Sequence, residues 1–164
     1  MSTMPRMVRS ATIRDAEGIC ELINYYAERG RMLHRSLESV YTSLRDFVVC
    51  VEPAEGGERV VGCAAVSINW KDLGELRSLA VAADRLGRGI GRDICRQAIE
   101  QARQLGLKRL YALTYEQEFF RRLGFATIEK DALPTKVWRD CIHCPRADNC
   151  DETAMVLDLE PETQ

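Results

Sequence analysis

Three glycines at alternate positions, Gly87, Gly89 and Gly91, are the strongest chemical signal in this sequence. Because glycine has no side chain, they leave successive backbone N–H groups open to a single ligand. Apolar residues at helical spacing follow, so a helix would direct the positive end of its dipole to the same place. Arg88 and Arg92 add positive charge. The stretch therefore predicts a binding site for a phosphate or pyrophosphate.

A glycine-rich turn of this kind has other interpretations, including a plain connection between two elements. In a dinucleotide-binding fold the turn follows the first strand, whereas here it follows the fourth predicted strand. The Gly-Lys-Ser/Thr sequence of a P-loop is absent from the turn. The residues of the turn by themselves leave open which phosphate compound it binds.

Three cysteines near the end of the chain, Cys141, Cys144 and Cys150, form a second candidate site. Three thiolates with His143 or Asp151 as a fourth ligand would suit zinc. One Cys-x-x-Cys pair and a lone cysteine are a weaker pattern than two such pairs, so we expect thiols in a loop and no metal.

The elements that must position these groups form an α/β domain with a mixed sheet of about seven strands. The predicted order is β-α-α-β-β-β-α-β-α-β-β. Alternating or continuous apolar runs predict strands over residues 7–13, 46–52, 60–69, 74–81, 108–114, 125–129 and 153–159. Helical spacing predicts helices from 15 to about 30, over 37–44, from about 90 to 105 and over 116–123. Ser36 can cap the second of these helices.

Length and charge limit the class of protein. A chain of 164 residues predicts one domain, covering residues 1–164. The formal net charge of −2 argues against nucleic acid or an anionic membrane as a partner. No apolar run is long enough to cross a bilayer, and the opening residues MSTMPRMVRS lack the apolar stretch of a signal peptide. We expect a cytoplasmic protein with a small-molecule substrate.

The segments LRSLAVAADRLGRGIG, KRLYALT and FFRRLGF together resemble the GCN5-related N-acetyltransferase (GNAT) family over nearly the whole chain. The resemblance implies the GNAT fold, with acetyl-CoA as co-substrate at the turn between strand 4 and helix 3. Leu86 stands where the family has Gln or Arg, and its backbone N–H serves equally well. The implied coenzyme-binding residues are Leu79, Ala80, Val81, Leu86, Gly87, Arg88, Gly89, Ile90, Gly91 and Arg92.

A finer resemblance links MLHRSLESVY, GELRSLAV, LYALTYEQEFFRRLGF and ALPTKVWRDCIHCPRADNCDETAMVL to the short N-acetylglutamate synthases of arginine biosynthesis. It implies that Arg35 forks onto the side-chain carboxylate of L-glutamate. Main-chain N–H groups of Leu33 and Ser78 would hold the α-carboxylate, with Arg77 and Lys136 as candidates to complete the clamp. Analogy with the family suggests a homodimer.

Acetyl transfer needs a neutral amine, a polarised thioester carbonyl and a proton for the leaving thiolate. Backbone N–H groups around Leu79–Val81 would polarise the carbonyl. Glu75 is the candidate general base, directly or through water, with an exposed strand-end carboxylate as the alternative. Phe120 replaces the tyrosine that the family uses as general acid, so Tyr115 is the nearest substitute, or else water.

Other functions remain open at this point. Glutamine or another small amine is the nearest rival substrate, followed by a polyamine, an antibiotic or a protein N-terminus. A different class of protein, a non-catalytic coenzyme-binding domain, would use Cys141, Cys144 and Cys150 to sense redox state or metal. Metal analysis and an acetylation screen separate these hypotheses.

Overall fold

The computed structural model describes residues 5–134 and 152–159. The strands are β1 (Met7–Ser10), β2 (Phe47–Ala54), β3 (Gly57–Trp70), β4 (Leu73–Val81), β5 (Arg109–Thr114), β6 (Ala126–Thr127) and β7 (Thr153–Asp158). The helices are α1 (Ala16–Ala27), α2 (Leu37–Thr42), α3 (Ile90–Leu105) and α4 (Gln117–Arg122). Order and strand number match the prediction. Lys136, Cys141, Cys144 and Cys150 lie outside the described residues.

The strands form one mixed sheet in the order β1-β2-β3-β4-β5-β7-β6. Strands β4 and β5 pair in parallel, with α3 as the crossover between them in the sequence. The pairs β1–β2, β2–β3, β5–β7 and β6–β7 are antiparallel. The predicted α/β class with a mixed seven-stranded sheet is therefore confirmed.

The chain divides into two compact units, one of residues 1–66 and 78–98 and the other of residues 67–77 and 99–164. The expectation of a single domain over 1–164 stays a prediction. Helix α3, with 16 residues, is the longest of the helices described. Within the described ranges, no helix is both long and apolar enough to cross a membrane.

The core of the first unit lies between α1, α2 and one face of β2 and β3. Helix α1 contributes Ala16, Ile19 and Ile23, which follow the helical spacing and are fully buried. Alternate strand residues complete the same core, because side chains two apart share a face of the sheet. These strand residues are Phe47, Val49, Val51, Cys63 and Ala65.

Helix α3 packs closely on β3 at Gly62. A Cβ atom at this position would lie 2.5 Å from Cδ1 of Ile94 and 2.8 Å from Cγ2 of Ile90. Both distances are too short for a real contact, so the absent side chain is what allows the helix to approach the strand.

The core of the second unit is smaller. Leu73, Tyr111, Leu133 and Ala154 are buried together, with Leu113 and Ile128 packed against them. In the parallel register Glu75 lies opposite Tyr111. This pairing brings together two polar side chains that are 36 residues apart in the sequence.

The hairpin between β2 and β3 is tighter than predicted. Ala54 pairs with Gly57, which leaves a two-residue turn, and Pro53 lies within β2 opposite Glu58. Strand β1 pairs with β2 only as far as Val51, so the missing N–H of Pro53 costs no bond to β1.

Candidate active site

The backbone before α3 has the shape that the glycines predict. Gly87 and Gly89 have φ angles of 76° and 79°, in the left-handed region that glycine alone enters without strain. The N–H of Asp93 donates to the carbonyl oxygen of Gly89 at 3.0 Å, so Gly89 caps the helix without a side chain. The first N–H groups of α3 therefore come directly after a turn in which two residues, Gly87 and Gly89, have no side chain.

Arg92 lies directly over this cap. A Cβ atom at Gly89 would be 2.7 Å from Nη2 of Arg92. Asp93 accepts hydrogen bonds from Arg92 Nε at 3.3 Å and from Arg6 Nη2 at 2.9 Å. Burial disfavours the charged carboxylate, but these two arginines outweigh it and lower the pKa of Asp93. A cationic side chain is thus fixed over a helix N-terminus, an arrangement that fits an anionic ligand.

The end of β4 has an irregular backbone at Ser78. Its φ is 57°, an uncommon conformation for a residue with a side chain. The thiol of Cys63 donates to the carbonyl oxygen of Ser78 at 3.4 Å. Burial raises the pKa of Cys63 to about 12, so the sulfur stays protonated and keeps donating.

Two neighbouring groups of β4 are also engaged. A backbone hydrogen bond from Ala80 lowers the pKa of Cys63, although burial outweighs it, and the hydroxyl of Tyr26 donates to the carbonyl oxygen of Val81 at 2.5 Å. Burial and the neighbouring Tyr25 raise the pKa of Tyr26, which keeps its hydroxyl protonated. The phenol of Tyr26 therefore ties α1 to the end of β4.

The guanidinium of Arg35 is half-buried just before α2. Its Nη2 donates to Ser43 Oγ at 2.7 Å, and Nη1 lies 3.5 Å from Ser78 Oγ. The Cζ atom sits 5.4 Å from the centre of the Phe47 ring. The following residue, Ser36, caps α2 as predicted and accepts a bond from Ser39 N at 3.1 Å. The helix cap and the guanidinium contacts together fix where Arg35 lies.

The structure adds Asn24 to this region, a residue that the sequence did not single out. Asn24 Oδ1 accepts from Arg35 N, and Asn24 Nδ2 donates to Arg35 O, both at 2.9 Å. Leu33, in the same loop, is about half exposed. The side-chain amide of Asn24 thus makes the hydrogen bonds to the N–H and C=O of Arg35 that a helical turn or a neighbouring strand makes in regular secondary structure.

Glu75 is 14% exposed at its side chain, so it is not an exposed strand-end carboxylate. Its Oε1 accepts a hydrogen bond from the Tyr111 hydroxyl at 3.3 Å and lies 3.6 Å from Nη1 of Arg77. Sequence reasoning missed Tyr111, because the parallel register of β4 and β5 is not readable from the chain. Tyr115, half-buried, directly follows β5.

A family model decides the class of protein. The model of the acetyltransferase (GNAT) family matches residues 17–125. The chain belongs to this family. The matched range runs from the second residue of α1 to the residue before β6. It therefore includes the glycine turn and the surroundings of both Arg35 and Glu75.

Full-length relatives of this GNAT protein support the assignment. It is 40% identical over 152 residues to an uncharacterised N-acetyltransferase of Chlorobaculum tepidum, covering 93% of this chain and 96% of that protein. It is 37% identical over 142 residues to the amino-acid acetyltransferase of Mycobacterium tuberculosis, covering 84% of this chain and 80% of that protein. The prediction of an N-acetyltransferase is confirmed.

A solved structure gives the same answer. The N-acetylglutamate synthase of Neisseria gonorrhoeae, complexed with coenzyme A and N-acetyl-glutamate, superposes with a TM-score of 0.81 at 29% identity. The match covers 98% of this chain and 36% of that chain. The GNAT fold predicted from the sequence is therefore confirmed.

The described part of this GNAT chain contains no group of three His, Cys, Asp or Glu side chains that could hold a metal ion. The candidate cysteines Cys141, Cys144 and Cys150 lie in the stretch that the structure does not describe. Of the other cysteines, Cys50, Cys63 and Cys95 are buried and Cys20 is half-buried.

Proposed function

We propose that this protein transfers the acetyl group of acetyl-CoA to the α-amino group of L-glutamate, and so makes N-acetylglutamate for arginine biosynthesis. The observation that carries the proposal is the placement of Arg35. Its backbone is held on both sides by Asn24, and its guanidinium is half-buried above Phe47. A guanidinium fixed in this way can fork onto a carboxylate with little loss of side-chain entropy.

Acetyl-CoA supplies the activated acetyl group and a good leaving thiolate. In our proposal its pyrophosphate contacts the turn from Leu86 to Arg92. The left-handed Gly87 and Gly89, together with Arg92 above the cap, support this assignment. Arg88, which is exposed, provides a second cation. A pyrophosphate therefore meets both backbone N–H groups and side-chain charge.

Main-chain N–H groups of Leu33 and Ser78 are assigned to the α-carboxylate of the substrate. Ser78 supports this role because its left-handed backbone reorients the peptide groups on either side of it. Arg77 and Lys136 remain the candidates that complete the clamp. Lys136 lies outside the described residues.

The proton transfers are assigned to two residues. Glu75 takes a proton from the substrate ammonium, directly or through water, and leaves a neutral amine that can attack the thioester carbonyl. Backbone N–H groups around Leu79–Val81 polarise this carbonyl. After the attack, the nitrogen still carries a proton that the amide product lacks. Tyr115 donates its proton to the thiolate as the C–S bond breaks and recovers one from this nitrogen, while Glu75 releases the first proton to solvent.

The test is an acetylation screen over free amino acids, polyamines, aminoglycosides and a peptide N-terminus, with released thiol as the readout. We expect glutamate to be the best substrate. Arg35→Ala should raise KM for glutamate at least about tenfold, since a charged hydrogen bond contributes about 1.5–3 kcal/mol. Arg14→Ala, which removes an exposed arginine, is the matched control.

Three outcomes would contradict parts of the proposal. If glutamine is turned over faster than glutamate, glutamine becomes the assigned substrate. If only peptides or polyamines are turned over, the acceptor is not a free amino acid. An unchanged glutamate KM in Arg35→Ala would reject the carboxylate contact. Size-exclusion chromatography with light scattering on the same preparation tests the proposed homodimer. Fractionation of the source cells tests the proposed cytoplasmic location.

A further inference from the structure

The hydroxyl of Tyr111 has a defined partner on each side. Tyr111 is 1% exposed, and its hydroxyl donates to Oε1 of Glu75 at 3.3 Å. The two residues face each other in the parallel register of β4 and β5. The contact is therefore set by the backbone ladder rather than by a freely rotating surface side chain.

Asn69, near the end of β3, forms the other contact. A hydrogen bond from its side chain lowers the pKa of Tyr111, which is the direction expected of a donor to the phenol oxygen. Its Oδ1 atom is buried and has no hydrogen-bond partner among the described residues. The amide therefore presents its NH₂ group to the phenol oxygen, which accepts that bond and directs its own proton to Glu75.

We propose that Asn69 and Tyr111 are positioning residues, which act as a hydrogen-bond relay that fixes the carboxylate of Glu75 and favours its ionised form. The proposal rests on the role of Glu75 as general base under the proposed function. Each bond of such a chain polarises the next, so removal of the Asn69 end weakens the bond that reaches Glu75.

The surrounding groups also favour the ionised form of Glu75. Burial, and then the adjacent Glu75 carboxylate, raise the pKa of Tyr111 far above its ordinary value, so its hydroxyl keeps the proton that it donates. Arg77, on the same strand as Glu75, lies 3.6 Å from Oε1. The phenol from β5 and the guanidinium from β4 both stabilise a charged Glu75.

The experiment is a titration of the Glu75 carboxyl carbon by ¹³C NMR in the full chain, with the signal assigned from Glu75→Gln. It is measured in the native protein, Tyr111→Phe, Asn69→Leu and the double variant. Phenylalanine keeps the ring volume, and amide spectra confirm the fold of each variant. Tyr25→Phe, at a tyrosine 38% exposed, is the matched control.

We expect the Glu75 midpoint to rise by about one pH unit in Tyr111→Phe, a tenfold change in proton affinity. Asn69→Leu should raise it by less, and should add nothing once Tyr111 is replaced. The acidic limb of the pH profile of kcat/KM should shift to higher pH in the same variants, more in Tyr111→Phe than in Asn69→Leu. Lost packing alone would not produce this shift.

Two results would overturn the proposal: an unchanged midpoint in Tyr111→Phe, or an Asn69→Leu shift of equal size with and without Tyr111. The NMR titration needs no substrate. A shifted midpoint combined with full turnover by Glu75→Gln would leave the relay standing and reject Glu75 as the base, so the two failures are distinguishable.

Discussion

The side-chain amide of Asn24 holds the backbone of Arg35 with two hydrogen bonds, each of 2.9 Å. The first accepts from the N–H of Arg35, and the second donates to its carbonyl oxygen. Asn24 lies on α1, whereas Arg35 lies in the loop before α2. The position of the proposed carboxylate ligand is therefore set by a neutral amide on another helix.

Replacement of Asn24 by aspartate should weaken glutamate binding without affecting the coenzyme. Asn24→Asp keeps the acceptor for Arg35 N but loses the donor to Arg35 O. The lost bond is expected to cost about 1 kcal/mol, or a roughly fivefold rise in KM for glutamate. Steady-state kinetics measure this rise. An equal rise in KM for acetyl-CoA would show a general loss of structure instead.

Gly89→Ala should weaken coenzyme binding. A methyl group there meets Arg92 Nη2 at 2.7 Å and also places a side chain in the left-handed region. Displacement of Arg92 removes a cation from the proposed pyrophosphate site. We expect the Kd for coenzyme A to rise about tenfold, as measured by calorimetry, if one charged contact of about 1.5 kcal/mol is lost.

Gly106→Ala is the control for this experiment. Gly106 has φ of 92°, so alanine introduces backbone strain of the same kind. A Cβ atom at Gly106 meets nothing within 4 Å. This variant should lose stability yet keep its affinity for coenzyme A. A loss of affinity in both variants would assign the effect of Gly89→Ala to strain alone.

Gly62→Ala should destabilise the fold through the contact between β3 and α3. The new methyl group would overlap Ile94 Cδ1 at 2.5 Å and Ile90 Cγ2 at 2.8 Å. Overpacking of this kind costs about 1–3 kcal/mol, measured as the free energy of unfolding in urea. Ile94→Val removes the nearest carbon, so the double variant should lose less than the sum of the single variants. Additive losses would show that the overlap is not the cause.

The ion pair of Asp15 makes stability depend on pH. Burial disfavours its charged form, but bonds from Arg9, at 2.7 Å to Oδ2, and from Thr12 lower the pKa of Asp15 below 3.8. A carboxylate whose pKa is lower in the folded state stabilises the fold at pH values above its unfolded-state pKa. This contribution is lost as the pH falls through its folded-state pKa. The structure therefore assigns Asp15 an ionic role that the sequence did not suggest when it marked Asp15 as a helix start.

Asp15→Asn should consequently destabilise the protein by about 1.5–3 kcal/mol at pH 7. The difference from the native protein should shrink as the pH falls below 3.8. Urea unfolding at several pH values measures it. Asp84→Asn breaks an exposed pair with Arg59 and should change stability far less. A pH-independent loss in Asp15→Asn would reject the ionic origin.

Local patterns were enough for much of the site. The alternate glycines predicted a tight turn before α3, and Gly87 and Gly89 form it with positive φ angles that few other residues adopt without strain. Ser36 was predicted as a helix cap, and its side chain accepts the expected bond from Ser39. Both features depend on residues within a few positions of each other, and such features are written directly in the sequence.

Long-range pairs were not predictable in the same way. Tyr111 reads as an apolar strand residue, and only the register of β4 against β5 places its hydroxyl on Glu75. Asn24 reads as a polar position on α1, and only the return of the loop brings Arg35 to its amide. Neither pairing leaves a local trace, because each joins side chains from separate elements.

The sequence by itself determined the order of elements and the glycine turn before α3, because periodicity and turn chemistry act over short spans of chain. The family followed from the resemblance of its motifs. Tertiary structure decided which side chains share a hydrogen bond, since register and loop closure set those distances. It thereby buried Glu75 beside Tyr111 and Arg77, and it gave Ser78 of β4 a left-handed backbone. The glycine turn is thus a local property of the chain, whereas the environment of the proposed base, Glu75, is a property of the folded sheet.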